Sequence, residues 1–183
     1  MAFRIGDIRA NLRLGGARPT LFQIEITSPF DADLNQIAPF MVQSTQIPSS
    51  SISAIEIPYF GRKIKVAGDR TFDVWTINVM NDEDFKVRHA MERWHNAINS
   101  LSGNLNQTGS SAPANYKAQA LVKQYSKANE TSPIRVYKFN GIFPTDISTI
   151  DLDWNATDTI ETFAVTFAYD WHEVVGGNTG LVQ

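Results

Sequence analysis

Between Leu21 and Thr27 apolar and polar side chains alternate strictly, with Phe22, Ile24 and Ile26 on one side and Gln23, Glu25 and Thr27 on the other. That period of two predicts a strand with one buried face. From Thr71 to Met80 both sides carry large apolar groups: Trp75, Ile77 and Val79 against Phe72, Val74 and Met80. This pattern predicts a strand covered on both faces. From Thr159 to Trp171 the alternation returns. Phe163, Val165, Phe167, Tyr169 and Trp171 oppose the smaller Thr162, Ala164, Thr166 and Ala168. A small, hydroxyl-bearing face suits contact with another subunit, a water-filled space or thin packing against a helix.

Shorter patterns predict strands near Phe40–Gln46, Ser51–Ile57, Lys117–Tyr125, Ile134–Phe143 and Ile150–Trp154. Pro58 lacks a ladder donor and marks the second of these as an edge, and Pro144 closes the fourth. One segment changes period: Val87, Met91, Trp94, Ile98 and Leu101 recur every three or four residues, which predicts a helix over about 82–101. Asn81 is its candidate cap, Asp82, Glu83 and Asp84 favour the positive end of its dipole, and Gly103 ends it. Lys86, Arg93 and Asn96 fall on its solvent side. Ile5, Ile8 and Leu12 predict a short helix or an extended arm that stops at Gly15-Gly16. Ser28–Pro39, with Pro29, Asp31, Asp33 and Pro39, and the Ser, Gly and Asn-rich Ser102–Asn115 read as loops. Gly61 and Gly68 enclose Lys63-Ile-Lys-Val66 in a projecting hairpin or loop over Tyr59–Arg70. Seven or eight strands and one firm helix give a mainly β fold, an antiparallel barrel or sandwich with one flanking α-helix.

Composition narrows the class. A chain of 183 residues with 43% hydrophobic and 19% charged residues has the make-up of one globular domain. No run reaches the roughly 20 apolar residues of a membrane span. Arg4, Arg9 and Arg13 interrupt any apolar core of an N-terminal export signal, so export by that route is not expected. The absence of cysteine removes disulfides, thiol catalysis and thiolate metal sites.

The net charge of −3 conceals a gradient. Residues 1–20 carry Arg4, Arg9, Arg13 and Arg18 against Asp7, a balance of +3. Residues 144–183 carry Asp146, Asp151, Asp153, Asp158, Glu161, Asp170 and Glu173 with no base, a balance of −7. A basic beginning and an acidic end permit head-to-tail docking of copies, or simply two solvated ends.

Chemistry-bearing motifs are sparse. His89, His95 and His172 form no zinc-binding pair, and six residues place the first two on opposite sides of a helix. Ser49-Ser50-Ser51 has no neighbouring histidine and no nucleophile elbow. Gly176-Gly-Asn-Thr-Gly180 lacks the Lys-Ser/Thr ending of a phosphate loop and reads as a flexible tail. Asp151 and Asp153 share one side of a predicted strand and read as surface charge. Asn106-Gln-Thr108, Asn129-Glu-Thr131 and Asn155-Ala-Thr157 fit the glycosylation pattern and indicate polar turns. No catalytic, cofactor or metal site is expected. What stands out is Arg62, Lys63, Lys65 and Arg70, four cations in nine residues with only Asp69 against them. Such a cluster fits phosphates, an acidic partner protein or another copy of this acidic-ended chain.

Gly61-Arg-Lys-Ile-Lys-Val-Ala-Gly-Asp-Arg-Thr-Phe-Asp-Val-Trp-Thr-Ile-Asn-Val-Met-Asn-Asp-Glu83 closely resembles the tail tube proteins of T-even-like contractile phages. The resemblance continues in Ala17-Arg-Pro-Thr-Leu-Phe-Gln-Ile-Glu25, in Tyr116-Lys-Ala-Gln-Ala-Leu-Val-Lys-Gln-Tyr125, and from Gly141-Ile-Phe-Pro-Thr145 through Leu152-Asp-Trp154 to Glu161-Thr-Phe-Ala-Val165. It spans about residues 17–171 in the family's order, and extends more weakly to baseplate tube initiators, extracellular injection devices and type VI secretion tubes.

The resemblance implies a two-sheet antiparallel barrel with a flanking helix. The chain is then one tail-tube domain over 1–183: an arm at 1–16, the barrel at 17–171 and a tail at 172–183. It also implies hexameric rings stacked into the inner tube of a virion tail assembled in the bacterial host cytoplasm. Sheath, baseplate and tail-terminator proteins would be its partners, and tape measure protein and DNA would pass through the lumen without sequence-specific binding. Ser28–Pro39 and His172–Gln183 depart from the family pattern. On this reading Arg62, Lys63, Lys65, Asp69 and Arg70 are candidates for contacts between rings, and net negative charge in the lumen would keep DNA from adhering. A tube initiator or injection-device tube is the nearer alternative. A monomeric ligand-binding barrel, and an enzyme with an unrecognised site, are the remoter ones.

Overall fold

The computed structural model describes residues 5–12, 16–107, 109–127 and 129–177. Arg4 and Arg13 of the basic arm, Thr108 of the first Asn-x-Thr triplet and the tail beyond residue 177 lie outside the described residues, as does the side chain of Arg9.

In chain order the elements are α1 (Ile5–Asn11), β1 (Phe22–Thr27), α2 (Leu34–Met41), β2 (Val42–Thr45), β3 (Ser50–Tyr59), β4 (Arg62–Phe72) and β5 (Trp75–Met80). They are followed by α3 (Lys86–Ile98), α4 (Pro113–Tyr116), β6 (Ala118–Ser126), β7 (Asn129–Ile147), β8 (Thr162–Ala168) and β9 (Trp171–Gly176). All pairings described are antiparallel. Six strands follow the order β1-β6-β7-β8-β5-β2, a seventh, β9, pairs with β7 off that path, and β3 and β4 form a separate two-stranded sheet.

The long strand β7 joins two sheets. Its first part pairs with β6 and β9, and after Gly141 it turns to pair with β8 through Phe143–Ile147. Gly141 has φ +69°, and a Cβ there would run into the Asp170 carboxylate, so the crossing requires glycine. Buried side chains of the first sheet, Ile24, Ile26, Ala120, Val122 and Phe139, meet Trp75, Ile77, Val79, Phe163, Val165 and Phe167 of the second in one core. The Trp75 and Phe139 rings stack with centroids 4.4 Å apart. Helix α3 adds Val87, Ala90, Met91 and Trp94 to that core. Trp94 Nε1 donates to the Tyr116 carbonyl at 2.8 Å, which satisfies its polar edge without leaving the interior.

The mainly β, two-sheet antiparallel fold is as expected, but the sheet does not close into a barrel. β1 and β2 end the strand order without pairing to each other, and α2 packs against both. That helix occupies what the sequence suggests is a loop, so α3 is not the single flanking helix. Leu34 and Ala38 are buried, with Ile37 and Met41 packed beside them, a helical spacing hidden by Pro39 inside the helix. The strand expected from Phe40 consequently starts at Val42.

Other boundaries shift for identifiable reasons. The expected Thr71–Met80 strand is broken at Asp73-Val74, and Val74 is exposed. Only the Trp75, Ile77 and Val79 side is buried, because Thr76 and Asn78 occupy the other. Helix α3 spans 86–98 rather than 82–101: Asp82 Oδ1, not Asn81, accepts from the Lys86 N–H at 3.2 Å, and Leu101 lies outside it, exposed. The Asn81 amide instead donates to Glu161 Oε2 at 3.0 Å. Asn96, expected on the solvent side, is half-buried and accepts from the Leu101 N–H. Pro144 does not end β7, which continues to Ile147 opposite β8. Ile150–Trp154 is loop rather than strand. The expected Thr159–Trp171 strand divides at Tyr169-Asp170 into β8 and β9, and β9 carries residues 172–176, expected as tail, into the first sheet.

Candidate assembly interface

The Arg62–Arg70 cluster lies on a β-hairpin, here called the ribbon, that stands apart from the core. Its closing pair is Tyr59–Arg62, and the two intervening residues, Phe60 and Gly61, have φ +42° and +79°. Two consecutive positive φ values make the type I′ turn whose twist matches that of its strands. Phe60 is 91% exposed at the tip, its ring edge-on to Tyr59 at 4.7 Å.

The ladder assigns each side chain to a face. Ile55–Val66, Ile57–Ile64 and Tyr59–Arg62 are opposite pairs on one face, while Ala54–Ala67, Glu56–Lys65 and Pro58–Lys63 occupy the other. Between Ile52 and Ala54 the register shifts, because β4 carries one residue more than β3 around Gly68-Asp69. That bulge returns Arg70 to the face of Lys63 and Lys65. Gly68 fits closely there, since a Cβ would meet the Ser53 hydroxyl and displace it. The ribbon is therefore two-sided. One face is apolar with Arg62 at its tip; the other carries Lys63, Lys65 and Arg70 with Glu56, Ile52, Pro58 and the small Ala54 and Ala67.

All ten residues of β3 are exposed, and Ile55, Ile57, Ile64 and Val66 remain 46–56% exposed. Lys63 Nζ is 2.7 Å from Glu56 Oε2. Arg62, Lys65, Asp69 and Arg70 enter no ion pair among the described residues. The base is better anchored. Phe72 packs its ring on Tyr169 and His172, Ser49 Oγ donates to Asp73 Oδ2 at 2.8 Å, and Trp75 Nε1 donates to Thr45 Oγ1 at 2.9 Å. Burial, with a smaller contribution from the Arg70 charge, holds the His172 imidazole below its ordinary pKa. Burial, then the Asp73 carboxylate, raises the Tyr169 phenol.

A second exposed segment was not identified as such by sequence. The loop 148–161 is pinned at one end by Ser148 and Ala164 exchanging hydrogen bonds, and at the other by the Asn81 N–H donating to the Glu161 carbonyl at 2.9 Å. Between these anchors it exposes Leu152, Ile160 and Trp154, the last at 101%. Asp151 and Asp153 sit here on a loop beside a recess of about 540 Å³. Asp153 Oδ1 accepts from the Asn155 N–H at 2.9 Å. The available signal was Leu-Asp-Trp154: a tryptophan between polar residues, with no apolar period to bury it.

The histidines converge on nothing. His89 is exposed, His95 Nε2 lies 3.1 Å from the Pro144 carbonyl, and His172 packs on Phe72. Among the described residues no group of three His, Cys, Asp or Glu side chains is placed to hold a metal ion. Among the described residues no helix is long and apolar enough to cross a membrane.

A packed body with an exposed apolar and basic ribbon has the form of a structural subunit that other chains can cover. Comparison with known proteins names the class more closely. A family model described as phage tail tube protein matches residues 13–175, and the chain belongs to that family. Tail tube protein gp19 of Enterobacteria phage T4 is 37% identical over 172 residues, covering 94% of this chain and 95% of that protein. The tail tube protein of Serratia phage KSP90 is 24% identical, over 90% and 93%. In fold, the chain is similar to the PVC sheath/tube terminator of an extracellular contractile injection system, with a TM-score of 0.64, 15% identity and 88% and 97% coverage. A chain of the anti-feeding prophage baseplate gives a TM-score of 0.60 at 13% identity, over 89% and 97%. The protein is thus a tail tube protein, a structural component of a phage virion.

Proposed function

We propose that copies of this chain form hexameric rings that stack head to tail into the inner tube of a contractile tail, the conduit for DNA ejection. The carrying observation is the ribbon: about 33 Å of paired strand, by a rise of roughly 3.3 Å per residue, with both faces and both outer edges unoccupied. Two-stranded hairpins are marginal alone, and exposed edges and apolar faces are stabilised by pairing with another chain. A surface that differs from the one it docks on gives a heterologous contact, which closes rings or propagates filaments. Free edges at β1, β2 and β9 offer further backbone pairing around a ring.

The face of Ser44, Thr76, Asn78, Ala164 and Thr166 is small and largely uncharged, with Asn78 Nδ2 donating to Ser44 Oγ at 2.8 Å and the Thr76 and Thr166 hydroxyls 3.2 Å apart. It suits a water-filled channel through which tape measure protein and DNA pass without sequence-specific grip. Asp146, opposite Thr166, adds negative charge at the margin of that face and would repel DNA, so tight, salt-sensitive DNA binding by assembled tubes would overturn this part of the reading. Sheath, baseplate and terminator proteins would contact the outside and ends, with assembly in the host cytoplasm. Negative-stain electron microscopy across a concentration series, with and without baseplate to nucleate growth, tests the whole. Rings or tubes with a central channel are expected; a monomer under both conditions would refute it.

A further inference from the structure

The ribbon and the acidic loop lie at opposite ends of the second sheet. Strand β5 begins at Trp75, beside the ribbon base, where it pairs with Phe167. It ends at Met80, opposite Thr162, where the 148–161 loop rejoins the sheet. Six residues of strand separate the two by about 17 Å. The loop carries Asp151, Asp153, Asp158 and Glu161 without a lysine or arginine. None of these acids is ion-paired among the described residues, and neither is Lys65 nor Arg70 on the ribbon's basic face.

Resting on the assembly reading above, we propose that the basic face of the ribbon docks on the 148–161 loop of a second copy. Within one chain the two surfaces lie at opposite poles, so the fit is between copies and is directional. Trp154 provides an aromatic plane for the lysine and arginine of the ribbon and lies against Ala54, Ala67 and Pro58, whose small side chains leave room for a ring. Asp151 and Asp153 pair with Lys65 and Arg70. The Gly68-Asp69 bulge has a role here: Arg70 follows Lys65 by five residues, an odd spacing that in a regular strand would put it on the apolar face, and the bulge absorbs one residue and keeps the two together. The opposite, apolar face stays available for a separate contact.

The test uses two full-length variants: Lys65→Glu with Arg70→Glu, and Asp151→Lys with Asp153→Lys. These positions are exposed, so each variant should keep the wild-type circular dichroism and melting temperature. Assembly is followed by sedimentation and negative-stain microscopy. Each variant alone should need at least a tenfold higher concentration to assemble than wild type. An equimolar mixture should recover wild-type assembly, because each reversed surface meets the oppositely reversed surface of the other variant. Wild-type assembly by either variant alone, or a mixture that stays soluble while wild type assembles, would overturn the pairing and leave the assembly reading intact. Failure of wild type itself, with and without baseplate, would overturn the assembly reading on which the pairing rests.

Discussion

Strands β5 and β3 follow similar alternation rules and have opposite fates. In β5, Trp75, Ile77 and Val79 are buried against Phe139, Phe167 and Phe163 of the same chain. In β3, Ile55 and Ile57 alternate with Ala54 and Glu56 just as regularly, yet about half of each isoleucine faces solvent. The body spends its apolar pattern on its own fold. The ribbon holds its pattern in reserve, and burying the remaining half of each isoleucine is worth about 1 kcal/mol. Periodicity thus reports which face seeks burial, without reporting whether the covering surface belongs to the same molecule.

The contrast is open to attack at both ends. The largest effect on stability is expected from Trp75→Ala, which removes the ring stacked on Phe139. Unfolding in urea should show a loss of about 3–5 kcal/mol, while a loss under 1 kcal/mol would mean that the body is not the packed unit described. Next, Gly141→Ala forces a side chain into a positive-φ site against Asp170, so a loss of about 1–3 kcal/mol is expected by the same assay. An unchanged midpoint would show that β7 can cross between sheets without glycine.

At the ribbon the sign of the contrast reverses. Ile57→Ser with Ile64→Ser should move monomer stability by only about 0.5 kcal/mol per site while raising the concentration needed for assembly at least tenfold. Equal damage to monomer and assembly would place these residues in the body's core after all. The smallest effect belongs to the ribbon's base. The His172 pKa is depressed on folding, so between that lowered value and about 6.5 the unfolded chain binds more protons than the native one. Stability is then complete above about pH 6.5 and falls as pH drops through that window, and His172→Gln should flatten the fall. A variant with the same acid slope would assign the slope to other groups.

Much of the body was legible because its strands are half-buried, a condition that alternation reports directly. The positions of β1 and β6, and the stripe Val87, Met91, Trp94 and Ile98, follow from it. Helix α2 was obscured because Pro39 reads as a breaker, although its place near the helix end removes few internal hydrogen bonds. The division of β8 from β9 was hidden because Tyr169 and Trp171 continue the alternation through a turn at Asp170. The cationic cluster was visible as composition, but its division between faces depends on a bulge that no spacing rule registers. Lys63, Lys65 and Arg70 share a face, and Arg62 stands on the other. The exposed Trp154 loop had no periodicity to mark it, since the segment is neither strand nor helix.

Hydrogen–deuterium exchange compared between soluble and assembled protein tests most directly the claim that the body is complete alone and the ribbon is completed by neighbours. The account predicts that amides of residues 50–72 exchange rapidly in the soluble form and become strongly protected on assembly, while those of β5 and β8 are protected in both. A ribbon that exchanges equally fast in the assembled form would contradict it.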